Sequence, residues 1–467
     1  MNGSHLIIAF CNSKSGGHEG LRVLESLRHS LGPDLVFDLL DQPPEKTIQD
    51  ICHGRLGRKV SSEGDSTAIT PENSVASLRI IVCGGDGTCG WVFTAIDRAC
   101  EADEEIKKIH DRLLICVMPL GTGNDLSRSL GWGKRYKKSM LGPRWLQRVR
   151  LADIVELDRW KISITPKDAN KDVNNAVPEA FSVMKLSDIK SGTDRPRLSS
   201  SASATSVLRR GRTFSNAMMQ ENIRKLDIAE KTEPSISYRA TFTNYFSFGF
   251  DAQIAATFHE QRKAHPERFS SPIKNMLLYA RYGAAVGGAC PCMQSPPSTL
   301  NDSISAFKCR RPGEKEWQEL ALPRGTRAVV VLNLQSYAGG KNLWGRCMKS
   351  GAFGDGLLEV VCIRSIWQMA RILACNNLGL SAVRIAQVSE LYVDLEKVTF
   401  MQIDGEPWQQ SSSSIYISSF EASKVLQWKD SGCFGFSSVC KRQSNNNPDS
   451  KTGSTTSNAE NPAAVVE

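Results

Sequence analysis

No stretch of the sequence reaches 18 uninterrupted apolar residues, so nothing in it reads as a helix able to cross a bilayer. None of its 14 cysteines forms a Cys-x-x-Cys pair, which removes the close thiolate spacing that zinc modules use. Scattered thiols of this kind fit a reducing, cytosolic setting, with Cys83 and Cys116 as ordinary core residues. The seven histidines fall at no metal-ligand spacing, and there is no EF-hand loop. A Gly-x-x-x-x-Gly-Lys-Ser/Thr loop is also missing, which excludes an ordinary P-loop nucleotidase. Neither sign of charge is in large excess: 58 Lys and Arg against 49 Asp and Glu leave +9 over 467 residues, too dilute to argue for nucleic acid. That balance leans mildly toward phosphates or an anionic membrane surface. Met1–His5 carries no basic leader, and the apolar run behind it stops at Cys11, so it reads as a first strand and not as a secretory signal.

What is present suffices for a large core. With 40% hydrophobic and 23% charged residues, the chain is long enough for two domains or three small ones. The first 130 residues repeat one pattern three times: an apolar strand, a glycine-bearing turn and a helical face. The strands are Leu6–Cys11, Arg79–Cys83 and Leu113–Met118. Leu21, Leu24, Leu27 and Leu31 mark the first helical face, and Trp91, Val92, Ala95, Ile96 and Ala99 the second. This predicts a parallel α/β layer over residues 1–150, with its loops gathered at the carboxyl ends of the strands. From 151 to 414 the period changes to two, in Trp160–Ile164, Arg239–Phe250, Arg327–Leu334, Leu357–Ile363 and Ile415–Phe420, which predicts a β-rich domain. Helical patterns interrupt it at Ile273–Ala285 and Trp367–Asn376. The segment 166–234 is read as a disordered insertion: between Arg195 and Gln220 it has five arginines, six serines and no acid, too little apolar area to offset ordering entropy. Its Arg209–Ser215 stretch suits a basophilic kinase, an acidic lipid or an inert loop equally. The Ser/Asn/Thr-rich tail 441–467 is read as unstructured.

The chemistry-bearing candidates lie in the turns. Gly85-x-Gly87-x-x-Gly90 formally matches a dinucleotide fingerprint, but the acid that should end a second strand about 20 residues later is replaced by Asp103, Glu104 and Glu105 in a helix-like stretch. Glycine turns at the carboxyl edge of a parallel sheet let backbone N–H groups approach phosphate oxygens. Asp86 and Asp125 add carboxylates there, where Mg²⁺ could link them to phosphates directly or through water. Near the C-terminus, Asp404-Gly405-Glu406 sets two acids in a turn after a strand. Such a pair can orient a hydroxyl and take its proton; the same spacing equally suits a turn whose acids face water.

Five segments in order carry a resemblance: Gly84-Gly85-Asp86-Gly87-Thr88, Pro119–Arg128, Leu157-Asp158-Arg159-Trp160-Lys161, Asn244–Ala252 with its Phe-Gly-Phe-Asp-Ala, and Asp404-Gly405-Glu406-Pro407-Trp408. Together they resemble a eukaryotic diacylglycerol kinase, most closely the plant type without N-terminal cysteine-rich modules, over roughly residues 4–430. The resemblance implies a fold of class α/β plus β: an N-terminal three-layer, phosphofructokinase-like α/β domain and a β-rich accessory domain. The last strands, within 415–440, would return to complete the first domain. It implies ATP bound by Gly84, Gly85, Asp86, Gly87, Thr88 and by Gly121, Thr122, Gly123, Asn124, with Asn12 in a third nucleotide-side loop. Asp86, Asp125 and Asp158 match acids around nucleotide-bound Mg²⁺, and Asp355 matches a second, structural Mg²⁺ position, though relatives often carry two acids where this chain has Gly354-Asp355. Asp404, oriented by Glu406, matches the acid that accepts the hydroxyl proton. The implied reaction is ATP-dependent phosphorylation of diacylglycerol to phosphatidic acid at a membrane surface. It would be carried out by a cytoplasmic, peripherally associated lipid-signalling enzyme that binds no nucleic acid. The basic and aromatic residues Arg262, Lys263, Lys274, Tyr279 and Arg281 suit an interfacial face and an ordinary surface helix equally. A kinase for another lipid, such as a sphingoid base, and a non-catalytic lipid-binding scaffold are the alternatives.

Overall fold

Apolar runs bounded by glycine turns build the first sheet. Its order is β2 (Val36–Asp38), β1 (His5–Cys11), β3 (Ser77–Gly84), β4 (Leu113–Pro119), β18 (Ser423–Gln427) and β5 (Asp153–Leu157). The computed structural model describes residues 5–17, 19–53, 77–167, 238–265, 299–345, 352–374 and 382–429. Outside them lie the 166–234 insertion beyond its first two residues, the 273–285 helix with Lys274, Tyr279 and Arg281, and the 441–467 tail. Strands β1, β3 and β4 pair in parallel and are buried over nearly their whole lengths, as apolar runs covered on both faces must be. Around them pack α1 (Glu19–Leu31), α2 (Pro44–Cys52), α3 (Asp86–Ala102), α4 (Glu104–Lys108), α5 (Asp125–Ser129) and α6 (Pro143–Leu151). The buried stripe of α3 is the expected one. That of α1 is rotated: Gly20, Val23, Leu24 and Leu27 face the core, and Leu21 is exposed. The cause is local, since a Cβ on Gly20 would stand 2.5 Å from the Asn12 carbonyl oxygen, so the glycine takes the inward position. Cys83 and Cys116 are free thiols in this core.

Two boundaries shift from the sequence reading. The first sheet runs past residue 150 to take in β5, and among the described residues of 415–440 only β18 joins it. Val425 pairs with Ile115 of β4 and with Val155 of β5. The Trp132 indole donates to the Leu426 carbonyl at 2.6 Å, locking the strand in place.

The remaining strands form two further sheets. One runs β10 (Gln318–Glu319), β9 (Ile304–Arg310), β14 (Glu390–Leu395), β17 (Ser413–Ser419), β6 (Trp160–Pro166), β7 (Tyr238–Phe242). The other runs β13 (Val383–Val388), β12 (Leu358–Ile363), β11 (Ala328–Leu332), β8 (Tyr245–Gly249), β15 (Thr399–Ile403), β16 (Glu406–Gln410). Their facing side chains, Trp160, Ile162 and Ile415 from one and Phe246, Val331 and Val360 from the other, make one sandwich core. Alternation over Arg239–Phe250 therefore hides a break: β7 and β8 belong to different sheets, with Thr243 and Asn244 between them. The third sheet is also covered on its outer side by α7 (Phe250–Ala264) and α8 (Ile366–Ala374), which is why β11 and β12 are buried at every residue.

This double burial catches one acid. Glu359, on β12, is 1% exposed and accepts from Gln387 Nε2 at 3.1 Å. Burial, reinforced by the Asp355 charge, pushes its carboxyl up to about 7. The native state then holds the proton more tightly than the unfolded chain, so stability falls as pH rises from about 4.5 to about 7. Glu359→Gln is expected to exceed the parent in stability by on the order of 2–3 kcal/mol near pH 8 and to match it near pH 4. Thermal unfolding at the two pH values checks this; a pH-independent difference would exclude the linkage.

Candidate active site

Two glycine turns meet backbone to backbone at the carboxyl edge of the first sheet. A Cβ on Gly121 would lie 2.6 Å from Gly85 Cα, and one on Gly84 would lie 2.4 Å from Thr88 Cβ. Only glycine permits that approach. Gly121→Ala is expected to force the loops apart, lowering stability by about 1–3 kcal/mol and weakening nucleotide binding; calorimetric titration with ATP, read beside a melting curve, checks both effects. Asn12 joins from the first turn, its Nδ2 donating to Thr88 Oγ1 at 3.3 Å while its Oδ1 accepts from the Lys14 amide at 3.1 Å. Among the described residues no side chain caps α3, so its first N–H groups are open at the Gly85–Thr88 turn. Asn124 plays another part. Left-handed at φ 53°, it accepts from Gly121 N at 2.9 Å and donates to Gly121 O at 2.8 Å and Lys134 O at 3.1 Å. Its side chain is spent on shaping the turn, whereas Thr122 is exposed. Asp103, at the distance where a dinucleotide-binding acid belongs, instead caps α4 through the Glu105 amide and pairs with His53.

The acids Asp86 and Asp125 flank Gly123, whose Cβ would lie 3.2 Å from one carboxylate and 3.3 Å from the other. Asp86 covers the α5 N-terminus, accepting from Asp125 N at 3.1 Å and Leu126 N at 3.0 Å. Asp125 reaches across to the turn after β11 and accepts from Ser336 Oγ, Gly339 N at 3.0 Å and Gly340 N at 2.9 Å. Burial, followed by the neighbouring Asp86 charge, pushes its carboxyl up to about 6. Arg128, held to the Gly123 carbonyl at 2.9 Å, partly offsets that repulsion.

The sandwich contributes the Asp404–Glu406 hairpin. Ile403 pairs with Glu406, and both intervening residues have positive φ, 51° at Asp404 and 91° at Gly405. That is the type I′ geometry for which Asp-Gly is suited. The Asp404 carboxylate then accepts three amides of the β7–β8 break: Thr243 N at 3.0 Å, Asn244 N at 2.8 Å and Tyr245 N at 2.9 Å. Burial raises its carboxyl to about 6 against those three bonds. The Glu406 carboxylate has no hydrogen-bond partner among the described residues. Its Oε1 lies 3.0 Å from where a Gly87 Cβ would be, facing the α3 N-terminus. Burial raises its pKa, opposed by Arg262 and Lys263 of α7.

Asp158 and Asp355 form a separate pair. Asp158 Oδ2 accepts from Gly356 N at 2.6 Å, and Asp355 accepts from Ala352 N and Leu357 N, each at 3.1 Å. Among the described residues no group of three or more His, Cys, Asp or Glu is set to hold a metal. The sequence reading also passed over Asp251, which is fully buried and accepts from Ser247 Oγ, Tyr337 OH at 3.1 Å and Gln402 Nε2 at 2.9 Å. It ties β8, β15, α7 and the turn after β11 together; an acid amid Phe-Gly-Phe and Ala was the available signal.

Comparison with known proteins gives matches in both halves. The diacylglycerol kinase catalytic domain family matches residues 6–157, and the diacylglycerol kinase accessory domain family matches residues 241–407. Diacylglycerol kinase 1 of Oryza sativa subsp. japonica is 31% identical over 426 residues, covering 86% of this chain and 74% of that protein. Diacylglycerol kinase 4 of Arabidopsis thaliana is 32% identical over 439 residues, covering 90% and 80%. The solved structure of a putative diacylglycerol kinase from Bacillus anthracis str. Sterne is similar at 14% identity and a TM-score of 0.45, covering 91% and 97%. Asp86 and Asp125 fall within the first matched span, and Asp404 and Glu406 within the second; the chain belongs to the diacylglycerol kinase family.

Proposed function

We propose that the chain transfers the γ-phosphoryl group of ATP to the free hydroxyl of diacylglycerol, giving phosphatidic acid and ADP. One observation carries the reading: an unpartnered carboxylate, Glu406, faces the uncapped N-terminus of α3. A helix N-terminus of this kind holds phosphate oxygens, and an acid opposite it is placed to serve the attacking hydroxyl. Phosphoryl transfer has a loose transition state, so positioning and charge neutralisation are most of what the protein supplies. The open amides at Gly85–Thr88 hold the terminal phosphate, with the Gly121–Gly123 turn packed beside them. Glu406 accepts the proton as the acceptor oxygen bonds to phosphorus and the bond to ADP breaks. Asp404, with its oxygens committed to three amides, positions that hairpin, so this reading gives the proton-accepting role to Glu406 where the sequence expectation gave it to Asp404.

Asp86 and Asp125 suit Mg²⁺, because two like charges beside one glycine, one of them buried and raised in pKa, are relieved by a divalent cation. Bound there with the nucleotide, Mg²⁺ would neutralise phosphate charge. Asp158 and Asp355 are the second acid pair read as holding it; like those of Asp86 and Asp125, their oxygens also serve backbone amides. On the same reading, residues 5–157 with β18 are a phosphofructokinase-like catalytic domain and the sandwich is the lipid-substrate domain. No helix among the described residues is long and apolar enough to cross a membrane. On this reading access to the bilayer substrate is peripheral, from the cytoplasmic side.

The test is transfer of labelled phosphate from Mg-ATP into mixed micelles carrying diacylglycerol, with sphingoid base and NAD as parallel acceptors. Label in phosphatidic acid alone is the expected result. Label in another acceptor would move the substrate, and none anywhere would leave a lipid-binding scaffold.

A further inference from the structure

Between Leu320 and Ser389 the sequence carries eight Lys and Arg and two acids, Asp355 and Glu359. The surplus here is six; 126–152 is also strongly basic, with eight Lys and Arg and no acid. Glu359 is buried, and Asp355 sits ahead of β12, held to the amides of its own turn. What the stretch builds is one half of the third sheet, β11, β12 and β13, with α8 on its outer face.

Met369 and Ile372, 2% and 3% exposed, seat α8 in the outer core beside Val361 and Ile363. Trp367 and Arg371, four residues apart, share the opposite stripe of the helix. Trp367 is 68% exposed, the one aromatic among the exposed large apolar side chains of the described residues. Arg364 leads into the helix and donates through Nε to the Arg324 carbonyl at 3.1 Å, which brings Arg324 alongside. Arg324, Arg364 and Arg371 are all exposed, and none is in an ion pair among the described residues.

We propose that this face of α8, Trp367 with Arg364 and Arg371 on either side along the chain and Arg324 beside Arg364, docks the protein on an anionic lipid bilayer. The inference rests on diacylglycerol as the acceptor, which puts the substrate in a membrane. An indole suits the headgroup level of a bilayer, and arginines free of acids attract anionic headgroups. A protein interface would need a wider apolar centre than one indole among cations. Register places the patch away from the chemistry. Ile363, Ala328 and Gly249 share one end of the sheet, whereas Asp404 N donates to Tyr245 O at the other. Trp367 is thus an anchor outside the acceptor site.

The full chain is tested by co-sedimentation with phosphatidylcholine vesicles, with and without phosphatidylserine and free of diacylglycerol. In parallel, each form phosphorylates a short-chain diacylglycerol dispersed as monomers. The parent is expected to sediment with phosphatidylserine vesicles in a salt-sensitive way. Trp367→Ala should lose about tenfold in partitioning and Arg371→Gln about fivefold, with turnover of the dispersed substrate unchanged. Vesicle binding by Trp367→Ala equal to the parent, or none by the parent, would overturn the docking face. Vesicle binding as expected with no phosphorylation of the dispersed lipid would uphold the face and refute the acceptor assignment.

Discussion

Glu406→Gln is expected to lower turnover by about 10²–10⁴-fold, the usual cost of losing a general base, with little change in melting temperature or ATP affinity. The reason is geometric: Glu406 holds up no other group among the described residues, so its amide isostere fits the same space without orphaning a donor. Asp404→Asn should behave differently. One of its two oxygens becomes an NH₂ group facing backbone N–H groups of the 243–245 break, leaving a buried donor unpaired. A stability loss of about 1–3 kcal/mol accompanies the fall in rate. Burial raises the Glu406 pKa, so the ascending limb of the parent's pH–rate profile should lie above the ordinary glutamate range and vanish in the Gln variant. Measuring kcat, melting temperature and the pH profile of both variants separates the roles. Normal turnover by Glu406→Gln would return the proton-accepting role to Asp404.

The second large effect concerns the joint between the first sheet's layer and the sandwich. Arg159, 1% exposed, donates to Asp97 of α3 at 2.6 Å and to Thr241 of β7 at 3.1 Å, and its guanidinium lies over the Phe93 and Phe420 rings. Removing one partner of a buried pair strands the other charge. Asp97→Ala is therefore expected to cost about 3–5 kcal/mol, a large share of the roughly 5–15 kcal/mol that holds a native chain. Pairing it with Arg159→Met should recover part of the loss, because the ion left behind is then gone. Denaturant unfolding of the single and double variants checks this. An Asp97→Ala protein as stable as the parent would mean that the pair contributes nothing.

The parallel strands and the α3 face were legible because burial on both faces leaves unbroken apolar runs. Gly85 and Gly121 were legible because glycine there is compelled by close backbone approach. The β7–β8 break was not, since alternation continues through Thr243 and Asn244 while the chain changes sheets. Nor were Ser336, Gly339 and Gly340, whose amides and hydroxyl meet Asp125 from more than 200 positions away. Asp404-Gly405-Glu406 had two readings from sequence, a turn or a proton acceptor. In the fold the Asp404 carboxylate is bonded to three amides and the Glu406 carboxylate is left open among the described residues.

Strand β18 sets an order of events for synthesis. It lies between β4 and β5, and Trp132 finds its indole partner 294 residues downstream at Leu426. A nascent chain that has emerged through β5 thus lacks the strand that joins β5 to the rest of its own sheet. Domains usually fold as units in the order they leave the ribosome, but here the first sheet must wait until every sandwich strand has been translated. Until then β4 and β5 keep unpaired edges, which invites capture by chaperones or by another chain. Long-range closure of this kind also slows folding, because the loop must be closed before its contacts form.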